Sequence, residues 1–369
     1  MYPPIPAIFA EKISPAAAAT FADCRAFVED YCLPADSFFL QQISTDPERR
    51  WKEADAPSRG LWNMFLPRLY KEGAGFTNVE YGYMAEHLGR SVTAPDTGYM
   101  VILSRSGAPE QKCRWLAPLL DGTIFSAFLM TEKSTSSFNV LNISWFTSGA
   151  GDPNCAVCLV MCKPGSDDSK PYANHTVLFV DAIKALSSGR ERLVRPLTVF
   201  GFDEAPYGHC EIVFGQYEMT DCRGDNAVLH TVGGGFEIIQ SRLGPGRIHH
   251  SMRAIGVGEQ ALLTRELFQT AYAQFQIDLE RCRLLVLNAA HTIDVRDTKA
   301  TLREIAMAKI EVTRTVLRLL DWGIQMNDAV CFAGHTFGPH LARHAVHKFP
   351  EIEKYCEQHE QRRAEVARL

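Results

Sequence analysis

The chain has 369 residues, 46% of them apolar, so it is long enough to bury two or three domain-sized cores. Its 38 Lys and Arg against 43 Asp and Glu give a net charge of −5, without a basic tail or stripe, which argues against nucleic acid as a partner. No apolar run approaches the roughly 20 residues of a membrane span and the start lacks a secretory signal, so we expect an intracellular protein with no membrane span.

Eleven cysteines without regular spacing argue against a disulfide framework. Three of them, Cys155, Cys158 and Cys162, lie in "CAVCLVMC" at a spacing that metal ligands also use. In a strand, Cys158 and Cys162 would face one side and Cys155 the other, so the three could not converge on one ion. We therefore expect buried, reduced cysteines and no metal site.

The N-terminal third carries signals for helix ends. Ser14 followed by Pro15 predicts a helix start, and Pro34 is expected to end that helix. Thr77 and Glu80 have the spacing of a capping box ahead of "YGYMAEHLG". These signals predict a helical N-terminal region.

The pattern then changes twice along the chain. From Ile124, short apolar runs such as "IFSAFLM", "CAVCLVMC", "HTVLFV" and "GHCEIVF" alternate with turn residues and predict strands. The helical period returns after "VGGGFEI", in two segments starting at Ala261 and Ala300. We expect a multidomain α+β protein with an N-terminal helical domain (1–123), a central β domain (124–233) and a C-terminal helical bundle (234–369).

Positive charge is concentrated in "QSRLGPGRIHHSM". Arg242 and Arg247 flank a Gly-Pro-Gly sequence, and His249 and His250 follow. This pattern predicts a corner at the start of a long helix, with an anion bound there. The preceding "VGGGFE" lacks the spacing of a dinucleotide-binding loop and is better explained as a turn, so no Rossmann domain is expected.

The sequence resembles the acyl-CoA dehydrogenase family over nearly its full length. The matching stretches include "TNVEYGYMAEHLGRS", "SAFLMTE", "SGAGDPNC" and "GGGFEIIQSRLGPGRIHHSMRAIGVGEQAL". The resemblance implies an N-terminal helical domain, a central β domain and a C-terminal four-helix bundle, which is the order that periodicity also predicts.

The resemblance also implies FAD as cofactor, a homo-oligomer and a set of flavin contacts. Met130 and Thr131 match the strand end that contacts the flavin ring. Trp145 matches a residue near the isoalloxazine, and the Thr147 hydroxyl one that faces flavin N5. Gln325 matches a position that helps hold the adenine half of FAD from a neighbouring subunit.

By the same resemblance, Arg242 and Arg247 border the entrance for CoA and bind its phosphates. The implied activity is oxidation of the α–β bond of an acyl-CoA, in fatty acid metabolism or a specialised biosynthetic pathway. Neither the acyl chain nor the electron acceptor can be identified from the sequence. In such chemistry a carboxylate removes the α proton while the flavin accepts hydride from the β carbon.

The catalytic carboxylate is missing from both positions where the family places it. Gly334 in "FAGHTFGPHL" stands where an Asp is expected, and Gly246 stands at the position used in some relatives. His249 and His250 are weak candidates for the base, and a structural or CoA-contacting role is the alternative for both. The alternative function is a degenerate relative or partner subunit that binds acyl-CoA without redox turnover.

The sequence finishes Ala367-Arg368-Leu369, which is close to the Ser-Lys-Leu address of peroxisomal proteins. We therefore expect a peroxisomal location, and otherwise a cytoplasmic one.

Overall fold

A computed structural model describes residues 5–36, 56–91, 100–131, 143–152, 154–162, 173–181, 192–197, 209–214, 228–263 and 269–326. Across these ranges, N-terminal helices come first, six strands follow, and three long helices come last. The predicted α+β architecture is confirmed. None of the helices in these ranges has the length and hydropathy needed to span a membrane.

In the described part of the N-terminal region, six α-helices are accompanied by two π-helical turns and by a short α-helical stretch at 33–36. The α-helices are α1 (Ala7–Ala10), α2 (Pro15–Phe27), α3 (Asn78–Leu88), α4 (Met100–Ser106), α5 (Pro109–Gln111) and α6 (Ala117–Leu120). The π-helical turns are Val28–Cys32 and Lys112–Leu116.

The predicted helix starts are confirmed. The Ser14 hydroxyl accepts a hydrogen bond from the backbone N–H of Ala17 at 3.2 Å, so Ser14 caps α2. Thr77 and Glu80 cap α3 reciprocally, because Glu80 N–H donates to the Thr77 hydroxyl at 3.1 Å and Thr77 N–H donates to the Glu80 carboxylate at 2.8 Å. The second Glu80 oxygen accepts from Ser14 N–H at 2.9 Å, so one carboxylate joins the starts of both helices.

The expected stop at Pro34 is wrong. Helical backbone continues through the π-helical turn Val28–Cys32 and on to residue 36. The α-helical stretch 33–36 follows that turn directly, so Pro34 lies in its first turn, where proline is tolerated best.

The β region consists of two three-stranded sheets. Its strands are β1 (Phe125–Leu129), β2 (Ile143–Ser148), β3 (Cys155–Cys162), β4 (Thr176–Asp181), β5 (Arg192–Leu197) and β6 (His209–Phe214). One sheet has the order β1-β3-β4 with β1 parallel to β3, and the other is antiparallel with the order β2-β6-β5. Sequence reasoning missed β2 and β5, which lack a long apolar run.

All eight residues of β3 are buried, as expected of its cysteines. The predicted facing of Cys155 is wrong, because it packs in the same core between the two sheets as Cys158 and Cys162. A register shift beside β1, where Phe125 pairs with Cys155 but Ser126 pairs with Val157, reverses the alternation at that end. The eight cysteines in the described ranges are free, and those ranges hold no cluster of three or more His, Cys, Asp or Glu that could bind a metal ion.

The described part of the C-terminal region, up to residue 326, contains three long helices: α7 (Gly235–Leu263), α8 (Gln269–Val295) and α9 (Leu302–Met326). They pack on one another, and α7 also packs on α3. The helix predicted from Ala261 is divided, since Ala261 belongs to α7 and α8 is described from Gln269. A fourth bundle helix would fall after residue 326, outside the described residues, and the domain boundaries stay a prediction.

The crossing of α3 and α7 is a direct contact between backbones. A Cβ atom at Gly256 of α7 would overlap the carbonyl oxygen of Glu86 in α3. A Cβ at Gly89, which follows α3, would overlap the backbone of Arg253 in α7. Glycine is required at both positions because any side chain would push the helices apart.

A buried ionic junction lies where α3, α7 and α8 meet. Arg283 of α8 donates two hydrogen bonds from Nε and Nη2 to Glu86 at 3.0 and 2.6 Å, and it also contacts Glu259 of α7 and Glu280. Burial, followed by repulsion from Glu86, raises the pKa of Glu259 to about 7 even though Arg283 and Arg90 lower it. Three carboxylates therefore share one guanidinium, and one of them can hold a proton near neutral pH.

Candidate functional site along helix α7 and the ends of strands β1 and β2

The expected Gly-Pro-Gly corner is wrong, because Gly244, Pro245 and Gly246 lie inside α7, which begins at Gly235. A Cβ at Gly244 would overlap the side chain of Thr298, so this glycine permits a close contact rather than a turn. Arg242 and Arg247 consequently lie on the body of the helix. The N-terminal partial charge of α7 does not reach them, so anion binding here would depend on their guanidinium groups.

The two arginines are close enough to influence each other. Burial, and after it the charge of Arg242, lowers the pKa of Arg247. Arg247 Nη1 lies 3.5 Å from the amide oxygen of Gln240, at the limit of a hydrogen bond. An anion bound beside two partly buried guanidinium groups would offset the repulsion between them. The pair is therefore a candidate site for phosphate groups.

Open space adjoins this pair at Gly246. A Cβ built on Gly246 meets no described atom within 4 Å, in contrast to those at Gly244 and Gly256 of the same helix. Among the described residues, position 246 therefore has room for a Cβ atom.

The two candidate histidines lie in different environments. His249 is 2% exposed, and its ring packs edge-on against Tyr81 of α3 with the centroids 4.6 Å apart. This position fits the structural role that was the alternative for His249. His250 is partly exposed and lies one helical turn beyond Gly246, so it stays the candidate base.

The start of α7 is anchored on β4. Gly235 N–H donates to the carbonyl of His175 at 2.7 Å, and Gly233 N–H donates to the Thr176 hydroxyl at 3.0 Å. A Cβ at Gly235 would lie 2.8 Å from the His175 carbonyl oxygen, so glycine lets the chain pass directly against the strand. As expected, the glycines form a tight entry into a helix.

The predicted flavin contacts on β1 lie just beyond its end. Met130 follows the last strand residue, is partly buried and packs against the helical core. Thr131 is exposed. Strand β1 also lies against β2, and a Cβ at Gly149, just after β2, would lie 3.9 Å from the carbonyl oxygen of Ser126 near the start of β1.

Strand β2 contains an irregularity at the predicted flavin contacts. Ser144 pairs with Ile212 and Thr147 with Cys210, so β2 has one more residue than β6 between these pairs. Such a bulge redirects side chains and is common beside active sites. Trp145 lies within it, and its side chain is outside the description.

The Thr147 side chain is 1% exposed, opposite Cys210, which packs in the core between the sheets. The next residue, Ser148, is partly buried and bonds His209 of β6, with Oγ and Nδ1 2.9 Å apart. Sequence reasoning missed this pair. Its members are 61 positions apart, so no local pattern could reveal it.

Gln325 lies in the last turn of α9, and its side chain is outside the description. Gly334 and the residues 367–369 fall outside the described residues altogether.

The described residues fit a flavin and an acyl-CoA in part. The exposed residue Thr131, the space at Gly246 and the arginine pair suit polar, anionic ligands. The enclosed Thr147 hydroxyl would have to be uncovered before it could contact a flavin ring.

Comparison with known proteins identifies similar chains. The profile described as acyl-CoA dehydrogenase, N-terminal domain, matches residues 14–123, and the profile for the C-terminal domain of the same family matches residues 233–329. Probable acyl-CoA dehydrogenase FadE2 of Mycobacterium tuberculosis is 35% identical over 76% of this chain and 76% of its own length.

Other relatives are longer proteins. Acyl-CoA dehydrogenase family member 10 of Mus musculus is 37% identical over 85% of this chain, which spans 33% of that protein. The chain spans between a third and a half of the length of this and several further curated relatives. A solved structure from Mycobacterium abscessus, assigned as an acyl-CoA dehydrogenase, is 29% identical with a TM-score of 0.80, covering 96% of this chain and 99% of its own.

Proposed function

The chain belongs to the acyl-CoA dehydrogenase family, and from that premise we propose that it binds FAD and introduces a double bond between the α and β carbons of an acyl-CoA thioester. The observation that carries this proposal is the arrangement along α7. Arg242 and Arg247 form a partly buried basic pair, and the open space at Gly246 adjoins it. An acyl-CoA needs both a binding site for its phosphates and room for its acyl group.

Two protein segments would hold the cofactor. The end of β1 supplies Met130 and the exposed residue Thr131, and the bulge of β2 supplies Trp145. Thr147 follows the bulge and would join them once its enclosed hydroxyl is uncovered. In a homo-oligomer, Gln325 of a neighbouring subunit would contact the adenine half. When bound, the flavin would be the acceptor of the hydride from the β carbon.

The protein itself must remove a proton from the α carbon. His250 is the proposed base, because it is partly exposed and lies one turn from Gly246. An imidazole nitrogen that carries no proton can accept one, so His250 can serve as a general base.

The test is anaerobic titration of the purified protein with acyl-CoA thioesters of increasing chain length. We expect a yellow protein whose flavin absorbance bleaches with at least one thioester. A protein that takes up FAD but is not bleached by any of them would contradict the proposed dehydrogenation. Substitution His250→Gln, measured in the same titration, tests the base: we expect slower bleaching with unchanged acyl-CoA affinity.

Two observations that concern the catalytic base favour a second function. No Asp or Glu occurs from residue 329 to 350, where the family carries its usual base, and His249 is enclosed in the core. A protein that binds acyl-CoA without redox turnover, alone or as a partner subunit, would need no base. It would bind the thioester in calorimetry and leave the flavin oxidised.

Peroxisomal location and a role in fatty acid metabolism are part of the proposal. A fluorescent fusion that carries the chain with Ala367-Arg368-Leu369 at its free end should collect in peroxisomes. The same fusion with these three residues removed is the control. Mass photometry tests the proposed homo-oligomer.

A further inference from the structure

We infer that His209 is a positioning residue for the flavin-binding segment of β2, acting through its hydrogen bond to Ser148. This inference rests on the proposed function, and it adds a residue that the family resemblance did not assign. Three features of β2 and its neighbour β6 support it: the bulge in β2, the final register pair between the strands and the burial of His209 in β6.

The bulge leaves the flavin-binding segment weakly held by its own strand ladder. Between the pairs Ser144–Ile212 and Thr147–Cys210, β2 contains one residue more than β6. A bulged residue has no partner directly opposite, so the ladder restrains it less than a regular strand residue. The segment that carries Trp145 therefore depends on what fixes β2 on either side.

On the C-terminal side of the bulge, β2 is held by the pair Ser148–His209. It is the last register pair of β2, and Gly149, with a φ of +73°, begins the turn that follows. Because the chain turns away at this point, no further ladder pair follows in β2. The bond between Ser148 Oγ and His209 Nδ1, at 2.9 Å, adds a side-chain link where the ladder ends.

Burial makes this link rigid. His209 is 2% exposed, and its strand neighbour Cys210 packs in the core between the two sheets. A buried ring has few alternative rotamers and cannot exchange its partner for water, so its hydrogen bond fixes the Ser148 side chain. Ser148 directly follows Thr147, and loss of the bond would release the end of the strand at the proposed flavin contact.

The first test uses flavin-free protein and does not depend on catalysis. Hydrogen exchange of peptides that cover 143–148 is measured for the wild type, Ser148→Ala and His209→Phe. We expect exchange about 3- to 10-fold faster in both variants, the range expected for loss of one hydrogen bond, with no change in peptides from α8 and α9. Unchanged exchange in 143–148 would overturn the inference, whatever the flavin does.

The second test measures FAD itself, by its dissociation constant and by the visible spectrum of the bound flavin. Ser148→Ala and His209→Phe should each weaken FAD binding about 3- to 10-fold, and the double variant should be no weaker than either. His209→Asn, which can still bond Ser148, should recover most of the affinity. Variants that keep the wild-type affinity and spectrum would overturn the inference.

A control variant separates this effect from the general cost of losing a buried histidine. His87→Phe removes a histidine that is 4% exposed and packs against Phe21 in the helical region. It should lower the melting temperature without changing exchange in 143–148 or FAD affinity. A wild-type protein that binds no FAD would contradict the proposed function, while the exchange experiment would still decide whether His209 positions the segment.

Discussion

Gly256 of α7 lies so close to the carbonyl oxygen of Glu86 in α3 that the two helices touch through their backbones. We expect Gly256→Ala to destabilise the protein by about 1–3 kcal/mol, because the added methyl must separate the helices. Gly246→Ala, on the same helix, is the matched control. Its Cβ meets no described atom within 4 Å, so it should stabilise by up to about 1 kcal/mol through helix propensity. Urea unfolding of both variants measures the changes in the free energy of unfolding. Equal changes in the two variants would show that the backbone contact at Gly256 does not limit side-chain size.

The ionic junction predicts a pH dependence of stability. Burial raises the pKa of Glu259 to about 7, while in the unfolded chain this carboxyl titrates near its usual value of 4.5. The folded state therefore keeps a proton that the unfolded state has released, and this contribution to stability is complete below about pH 4.5 and lost as the pH rises to about 7.

Substitution Glu259→Gln should remove this dependence. Between pH 4.5 and 8, the wild type should lose about 3 kcal/mol of unfolding free energy relative to the Gln variant, from 1.36 kcal/mol for each unit of pKa shift. Glu237→Gln changes an exposed carboxylate in the first turn of α7 and should keep the wild-type slope. Parallel slopes for wild type and Glu259→Gln would show that Glu259 is not the group that retains the proton.

The arginine pair predicts a loss of CoA affinity in Arg247→Met. Hydrogen bonds between a guanidinium and a phosphate are charge-assisted, and their loss should weaken CoA binding by about 10-fold or more at low salt. Arg318→Met is the control, since this exposed arginine of α9 pairs with Asp278 at 3.4 Å and lies outside the proposed site. Calorimetry with CoA at two salt concentrations is the measurement. Equal affinities for the two variants would place the phosphates elsewhere.

The space at Gly246 predicts that a base can be added there. In Gly246→Glu, made in the His250→Gln background so that the proposed base is absent, the carboxylate would occupy the position that some relatives use, and we expect flavin reduction by acyl-CoA about 100-fold faster than in Gly246→Gln in the same background. The Gln side chain has nearly the same size but cannot accept the proton at neutral pH. Stopped-flow flavin absorbance gives both rates. Equal rates would show that a side chain at 246 does not reach the α carbon.

Several features of the fold could be predicted because they depend on neighbours in the sequence. Ser14 caps α2, and Thr77 and Glu80 cap α3, through bonds between residues three positions apart. The order of helical, β and helical regions follows from hydrophobic periodicity, another local property. The arginine pair was likewise visible as a concentration of charge.

The site geometry depended on contacts between distant residues. Gly-Pro-Gly usually indicates a turn, but it lies inside α7, where Gly244 passes close to the side chain of Thr298. Arg283 meets Glu86 across 197 positions, and His209 meets Ser148 across 61. No pattern along the chain specifies such pairs, because their free energy arises only when separate elements pack together.

Local hydrogen bonds and hydrophobic periodicity therefore indicated the order of helical and β regions, and matching sequence stretches indicated the family to which the chain is similar. Tertiary packing decided that His249 is enclosed while His250 stays accessible, that Thr147 is covered, and that Gly246 adjoins open space. Burial of a side chain is set by the elements packed over it, and in this chain those elements come from α3, β6 and α7.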